Sequence, residues 1–217
     1  MEIKKLGIGE TEKIELSKTC LVVIDMNYFC AHRDHGLGKW MQENEINTNY
    51  YFKRVEKIVT PNTQKLLKEF RNSGIKIAFV EVGAHFDDFS DTLIHLRKHQ
   101  MQADTKRCKK PFRTIDELEP LEGEILVSKP GSSAMTTSGL DIRLRNAGIK
   151  NLIITGVVTN FCVMLTSLSA YDLGYYVYVV EDACATSDQH MHDIALELMN
   201  WMGIKVISTE EAISIIN

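Results

Sequence analysis

The chain has 217 residues, of which 44% are hydrophobic and 25% are charged, and its formal net charge is −4. This size and balance are typical of one globular domain with a substantial core, which we expect to extend over residues 1–217. A net negative charge provides no overall field to attract nucleic acid or an anionic membrane, so neither partner is predicted. The apolar runs are much shorter than the ~20 residues of a membrane-spanning helix.

The five cysteines are scattered along the chain, and no CxxC or paired-cysteine zinc spacing occurs. The first 16 residues contain no signal-type apolar stretch followed by a small-residue cleavage site. Both observations predict reduced thiols and a cytoplasmic location.

Four strongly apolar runs predict buried parallel strands, because a sheet covered on both faces needs nearly continuous apolar sequence. They are residues 20–26, 75–82, 151–158 and 175–182, with weaker candidates at 124–128 and 204–208. Helical patterns that each end in a glycine lie between strands, at residues 61–74, 136–148 and 188–203. The alternation predicts an α/β fold: a doubly wound, mainly parallel six-stranded sheet with helices on both faces.

Two polar segments, residues 30–58 and 84–122, do not fit the alternation and are predicted to be irregular. Each follows the carboxyl end of a predicted strand, which is where open α/β sheets bind ligands. They are therefore candidate active-site loops. The basic run at 106–110 is expected to be a solvated loop, and His190 and His192 are expected at the surface or at a subunit interface.

Asp25 interrupts the first apolar run near its end. A carboxylate in such a run is costly to bury unless it has a partner. It is either a strand-end turn residue or a general base at the carboxyl edge of the sheet. The pattern alone leaves both interpretations open.

Lys129 directly follows the weaker strand candidate at 124–128 and precedes Pro130 and Gly131. Most lysines are solvated surface groups, and this remains one interpretation. The other follows from its place at a strand end. A lysine near a thiol and a carboxylate would stabilise the thiolate and hold Asp25 ionised.

Cys162 lies between the apolar run 151–158 and the helical stretch that follows it. Backbone N–H groups and the helix dipole at a helix N-terminus favour negative charge. We therefore predict a cysteine with a lowered pKa, acting as a nucleophile.

Three ordered motifs resemble the isochorismatase-like cysteine hydrolase superfamily, which includes nicotinamidases, N-carbamoylsarcosine amidases, biuret and ureidoacrylate hydrolases, and isochorismatases. The motifs are VVIDMNYF with Asp25, VSKPGSSAM with Lys129 and GVVTNFCV with Cys162. The resemblance extends over about residues 20–210 and implies a six-stranded Rossmann-like parallel sheet. It assigns catalytic roles to Asp25, Lys129 and Cys162.

The resemblance also implies the reaction. A cysteine-dependent hydrolase would cleave a C–N bond of a small amide or ureide through a thioester and release ammonia or an amine. A non-proline cis peptide between Val157 and Val158 is implied, with the backbone N–H groups of Val158 and Cys162 forming an oxyanion hole. No cofactor is expected, the substrate is the one small-molecule partner, and a homo-oligomer (dimer or tetramer) is implied.

The region after the second strand departs from the nicotinamidase branch. Those enzymes commonly carry an Asp-x-His metal site there, whereas this chain reads FVEVGAHFDDFSD. His85, Asp87 and Asp88 are potential ligands without that order, so no metal is predicted. Substrate-pocket candidates, for which core packing is the alternative, are Asn27, Phe29, His85, Phe86, Met135 and Phe161.

Two other functions remain open. One is an isochorismatase-type vinyl-ether hydrolase, although members with that activity typically lack the cysteine. The other is a catalytically silent oligomeric scaffold of the same fold, which would tolerate loss of any of the three residues. The presence of all three favours the cysteine hydrolase.

Overall fold

The computed structural model describes residues 14–101 and 111–216. The N-terminal segment and the basic run at 106–110 lie outside these ranges. Six strands form one sheet, and all five pairings are parallel. In chain order they are β1 (Thr19–Ile24), β2 (Lys76–Val82), β3 (Ile125–Lys129), β4 (Asn151–Val157), β5 (Tyr176–Ala185) and β6 (Lys205–Ile207).

The strand order is β3-β2-β1-β4-β5-β6, which is the order of a doubly wound sheet. The predicted fold class is confirmed. Every residue of β1 and β4 is buried, which explains why these strands read as continuous apolar runs. The predicted strand ends differ from the observed ones by at most three residues, most at β5, which extends to Ala185.

Ten α-helices lie in the described ranges. They are α1 (Tyr28–Ala31), α2 (Gly36–Glu43), α3 (Asn49–Arg54), α4 (Thr60–Asn72), α5 (Ile94–Met101), α6 (Ala134–Thr137), α7 (Leu140–Asn146), α8 (Met164–Asp172), α9 (Gln189–Trp201) and α10 (Thr209–Ile216). No helix in the described parts of the chain is long and apolar enough to cross a membrane.

Alternating side chains of each strand enter two separate apolar clusters, one on each face of the sheet. Leu21 and Val23 of β1 pack with α4 and α10. Cys20 and Val22 pack with α7, α8 and α9. Burial on both faces stabilises the sheet and fixes the strand ends relative to one another.

Two helix predictions are wrong in detail. The single helix expected at 136–148 is two helices, because the Ser138 hydroxyl donates to the Ala134 carbonyl and accepts from the Leu140 N–H. These bonds end α6 and begin α7. Both segments expected to be irregular contain helices. The segment 30–58 contains α2 and α3, and a π-helical turn at Val55–Val59 joins α3 to α4; the segment 84–122 contains α5.

The strand order reverses between β1 and β4, which are neighbours in the sheet. Ligands of open α/β sheets bind at the carboxyl ends of strands at such a switch point. The two strands approach closely there, and a side chain at Gly156 would overlap the Ile24 carbonyl. Gly156 also has a φ of 116°, which residues other than glycine rarely adopt. The sequence predicts that Asp25, Lys129 and Cys162 lie at this edge of the sheet.

Candidate active site

Asp25 is the first residue after β1. Its N–H donates to the Val80 carbonyl of β2 at 2.8 Å, and its side chain is 0% exposed. Its φ is +52°, a left-handed conformation that is uncommon outside glycine and is often found at functional sites. A solvated turn residue would not be buried in this way, so the strand-end turn interpretation does not account for this carboxylate.

Lys129 is the last residue of β3 and is also 0% exposed. Its ammonium lies 2.8 Å from Asp25 Oδ2 and 3.3 Å from Cys162 Sγ, and it donates to the Gly131 carbonyl at 3.0 Å. A lysine has three N–H donors, so these three contacts account for all of them. The surface-lysine interpretation is wrong, because this ammonium links the other two motif residues.

Cys162 lies in a single π-helical turn, Thr159–Val163, between β4 and α8; we call it the Cys162 turn. The peptide bond from Val157 to Val158 is cis. The Val158 carbonyl accepts from the Phe161 N–H at 3.0 Å and from the Val163 N–H at 3.2 Å. Isolated turns of this type are rare in proteins and frequent at functional sites. The cysteine itself is 6% exposed.

Two side-chain bonds tie the Cys162 turn to its surroundings. The Thr186 hydroxyl, just after β5, donates to Asn160 Oδ1 at 2.7 Å. Thr159 Oγ1 lies 2.9 Å from His192 Nδ1 on α9. His192 is therefore buried against the turn, and the expectation that it lies at the surface is wrong.

The direction of the Cys162 pKa differs from the prediction. Burial raises the pKa of this thiol to about 12; the nearby Asp25 carboxylate raises it further, and the Lys129 ammonium opposes both. The expected lowering was based on backbone N–H groups, the helix dipole and a nearby lysine. Desolvation and an adjacent carboxylate outweigh that effect here, so the resting side chain is a thiol.

Burial raises the pKa of Asp25, and the charge of Lys129 acts in the opposite direction. Burial would lower the pKa of Lys129, but the nearby Asp25 carboxylate, with a smaller contribution from Cys162, raises it above its ordinary value. A buried ammonium and carboxylate 2.8 Å apart each stabilise the charged form of the other. The resting site thus holds a thiol, a carboxylate of increased basicity and a permanent ammonium.

Three of the six predicted pocket residues are buried in the protein. Asn27 donates to the Val82 carbonyl at 3.2 Å and accepts from the Cys30 N–H at 3.0 Å. Phe29 packs in the first apolar cluster, and Met135 shares the second with Cys162. Asn27 and Phe29 are thus occupied by contacts that shape the end of β1, whereas Met135 lies in the same apolar cluster as Cys162.

The other three are accessible. Phe86 is 61% exposed and Phe161 is 38% exposed, and the Phe161 ring centroid lies 6.5 Å from that of His95. His85 is half-exposed, with Nε2 3.3 Å from the Ser128 carbonyl oxygen next to Lys129. We call His85, Phe86 and Phe161 the rim. Their contact with substrate stays a prediction.

The potential metal ligands are not grouped. His85 Nδ1 lies 3.5 Å from Asp91, a carboxylate the sequence did not single out, and Asp88 accepts from the Ser90 N–H at 2.9 Å. Within residues 14–101 and 111–216, no three His, Cys, Asp or Glu side chains are arranged to hold a metal ion. The expectation of a metal-free site stays a prediction.

The chain is similar to known proteins in both sequence and fold. The model of the isochorismatase domain matches residues 19–211. Ureidoacrylate amidohydrolase RutB of Stutzerimonas stutzeri (strain A1501) is 30% identical over 186 residues, which covers 78% of this chain and 71% of that protein. RutB of Acinetobacter baylyi is 30% identical over 194 residues, covering 81% and 75%.

Two solved structures illustrate the shared fold. A cysteine hydrolase from Pseudomonas syringae pv. phaseolicola 1448A has a TM-score of 0.77 at 22% identity and covers 95% of each chain. N-carbamoylsarcosine amidase from Thermoplasma acidophilum has a TM-score of 0.64 at 24% identity, covering 89% of this chain and 97% of that one. The domain match spans most of the sequence and includes all three motifs, so this chain belongs to the isochorismatase family of hydrolases.

Proposed function

We propose that the protein is a cysteine-dependent hydrolase that cleaves a C–N bond of a small amide or ureide through a thioester. The observation that carries this proposal is the buried Lys129 ammonium, 2.8 Å from Asp25 and 3.3 Å from Cys162. The similarity to ureidoacrylate amidohydrolases supports the substrate class. The contacts of Lys129 with both Asp25 and Cys162 disfavour the silent scaffold, because a protein without catalytic activity does not require these three side chains to be brought together.

The first step is attack on the carbonyl carbon. Asp25 accepts the proton of the Cys162 thiol as the S–C bond forms, and its raised pKa increases its strength as a base. Lys129 stays charged throughout and stabilises the sulfur as it loses its proton. The thiol is thus activated only when a carbonyl is in place, since the resting side chain keeps its proton.

The carbonyl oxygen becomes an oxyanion in this step. The proposed donors are two backbone N–H groups. One is that of Val158, directly before the Cys162 turn, and the other is that of Cys162 itself. Each donor of an oxyanion hole typically lowers the barrier by about 3–4 kcal/mol. Backbone donors suit this purpose because the fold fixes their direction.

Asp25 then gives its proton to the leaving nitrogen as the C–N bond breaks, which releases ammonia or an amine and leaves a thioester on Cys162. A water molecule attacks the thioester while Asp25 takes one of its protons. When the C–S bond breaks, that proton returns to the sulfur. The cycle consumes one water and regenerates the thiol and the carboxylate.

The test is ammonia release from a panel of nicotinamide, N-carbamoylsarcosine, biuret, ureidoacrylate and maleamate. We expect the wild type to release ammonia from at least one member and Cys162→Ala to lose this activity. Cys20→Ala is the matched control, because Cys20 is a buried thiol at the other end of β1. Undiminished release by Cys162→Ala would contradict the mechanism.

We also propose that the protein is a homo-oligomer, assembled through one face of α9. Four large apolar side chains on this helix, and a fifth directly after it, are exposed at the spacing of a helical face: Met191, Ile194, Leu198 and Trp201, followed by Met202. Contiguous exposed apolar surface is typical of an interface, and a second copy of the chain is the proposed occupant. Light scattering should show a dimer or tetramer for the wild type and a smaller mass for Leu198→Glu; equal masses would contradict this surface.

A cytoplasmic location is proposed on the state of the thiols. The four cysteines in the described ranges are free. Cys30 lies in the first apolar cluster, and Cys20, Cys162 and Cys184 lie in the second. Reduced cysteines are the rule in the cytosol. Fractionation of expressing cells tests this location.

A further inference from the structure

His192 is the most deeply buried polar side chain of α9 and has two polar partners. It is 2% exposed. Its Nδ1 lies 2.9 Å from Thr159 Oγ1, and its Nε2 lies 2.9 Å from Arg54 Nη2 at the end of α3. The imidazole thus stands between a guanidinium and the first residue of the Cys162 turn.

The direction of both hydrogen bonds follows from the chemistry of the partners. A guanidinium only donates, so His192 Nε2 accepts from Arg54. Burial and the charge of Arg54 lower the pKa of His192 to about 4, so the ring is neutral at pH 7. A neutral ring whose Nε2 accepts carries its proton on Nδ1, and this proton is donated to Thr159 Oγ1.

Arg54 is itself held by the sheet. Its Nε donates to the Cys184 carbonyl at 2.9 Å, and its Nη2 donates to the Glu181 carbonyl at 3.1 Å. Both carbonyls belong to β5, and Cys184 pairs with Gly156 of β4, just before the Cys162 turn. The chain Arg54–His192–Thr159 is therefore anchored in the same pair of strands that carries the turn.

We propose that His192 is a positioning residue, which holds the Cys162 turn through Thr159 so that Cys162 Sγ stays in contact with the Lys129 ammonium. Thr159 begins the turn and Cys162 is three residues later, so release of the threonine hydroxyl lets the sulfur move away from Lys129. Because Lys129 lowers the pKa of the thiol, such movement leaves the thiol harder to ionise. This positioning role rests on the proposed function of Cys162 as the nucleophile.

Substitutions of His192 can remove the hydrogen bond of one ring nitrogen and keep that of the other. His192→Asn keeps an N–H donor at the place of Nδ1 and loses the acceptor for Arg54. His192→Gln keeps an acceptor at the place of Nε2 and loses the donor to Thr159. On the other side of the bond, Thr159→Ser keeps the hydroxyl, and Thr159→Val removes it with little change of shape.

The readout is the rate of Cys162 alkylation by iodoacetamide as a function of pH, followed by mass spectrometry of the peptide that contains Cys162. It needs no substrate, so a failure of the proposed amide hydrolysis would not affect it. We expect His192→Gln and Thr159→Val to lower the rate at pH 8 about five- to tenfold, the effect of one lost hydrogen bond, and to move the pH midpoint upward. His192→Asn and Thr159→Ser should stay within about twofold of wild type.

Two controls distinguish positioning from stability. His190→Ala changes an exposed histidine on the same helix, and Thr63→Val removes a buried hydroxyl bonded to Thr155 beneath the sheet. Neither should change the alkylation profile, although Thr63→Val will lower the melting temperature. The double variant His192→Gln with Thr159→Val should be no slower than either single one, because both remove one interaction.

A purely structural role for His192 predicts another outcome. In that case His192→Gln and Thr159→Val would lower the melting temperature and leave the rate and pH midpoint of Cys162 alkylation at wild-type values. That result would overturn the proposal. If His192→Gln does not fold, Thr159→Val and Thr159→Ser provide the same comparison at the other end of the bond.

Discussion

The buried part of the site and its rim differ in how they are held. Asp25 and Lys129 are fully buried and follow or end strands of the sheet, where backbone pairing fixes them. Phe86 and Phe161 of the rim are 61% and 38% exposed. The three motif residues thus lie in the part of the fold with least freedom, whereas the rim, which we propose contacts the substrate, lies on a surface that can change.

The largest loss of stability is predicted for the buried part of the site. Lys129→Met leaves the Asp25 carboxylate without its cation in a fully buried site, which typically costs about 3–5 kcal/mol of unfolding free energy. Urea unfolding measures this loss. Lys68→Met is the matched control: Lys68 is exposed on α4, and its removal should change stability by no more than about 0.5 kcal/mol.

The double variant Asp25→Asn with Lys129→Met sharpens this prediction. It removes both charges, so it should recover part of the stability lost in Lys129→Met alone. A double variant less stable than the single one would show that the pair does not behave as a buried ion pair.

The next effect concerns acid stability. The pKa of His192 is lowered from 6.5 to about 4 by burial and by Arg54. Between these values the unfolded chain binds a proton that the folded protein does not, so the unfolding free energy falls as the pH falls. At pH 4 this group alone removes about 3 kcal/mol relative to pH 7.

The comparison that isolates this contribution is the pH dependence of urea unfolding in wild type, His192→Gln and His190→Ala. The His192→Gln curve should be flatter between pH 6.5 and 4, and the His190→Ala curve should follow the wild type. Parallel curves for all three proteins would show that His192 is not held neutral.

The smallest effect on stability is expected at the rim. Phe161→Ala removes a ring that is partly exposed and should change the unfolding free energy by less than about 0.5 kcal/mol. Phe29→Ala, in the first apolar cluster, should cost about 3–5 kcal/mol. If Phe161 contacts substrate, its variant raises KM and leaves the rate of Cys162 alkylation near wild type; a KM equal to wild type would remove Phe161 from the pocket.

Much of this fold was predictable because buried parallel strands have a simple signature. Continuous apolar runs located four strands and weaker apolar segments located the other two, and Asp25, Lys129 and Cys162 stood out because each lies at or shortly after the end of such a segment. The split between α6 and α7 was not predicted, since it depends on two bonds of one hydroxyl, that of Ser138. Local sequence does not specify which of several serines will end a helix.

The site was predictable in its members but not in its electrostatics. The raised pKa of Cys162 depends on its burial and on Asp25, which is distant in sequence. The burial of His192 had a signal that was overlooked: with Ala195, Leu196 and Met199 it occupies one face of α9, at spacings of three, four and seven residues. A histidine on that face belongs to the interior, whereas His190 does not share it.

In the proposed mechanism the Asp25 carboxylate acts directly on the Cys162 thiol. The most direct test is the pH dependence of Cys162 alkylation in Asp25→Asn. Because the Asp25 charge raises the pKa of the thiol, its removal should move the midpoint to lower pH and accelerate alkylation at pH 8, although hydrolysis is lost. An unchanged or higher midpoint would contradict the claim and leave Asp25 without its role as the base.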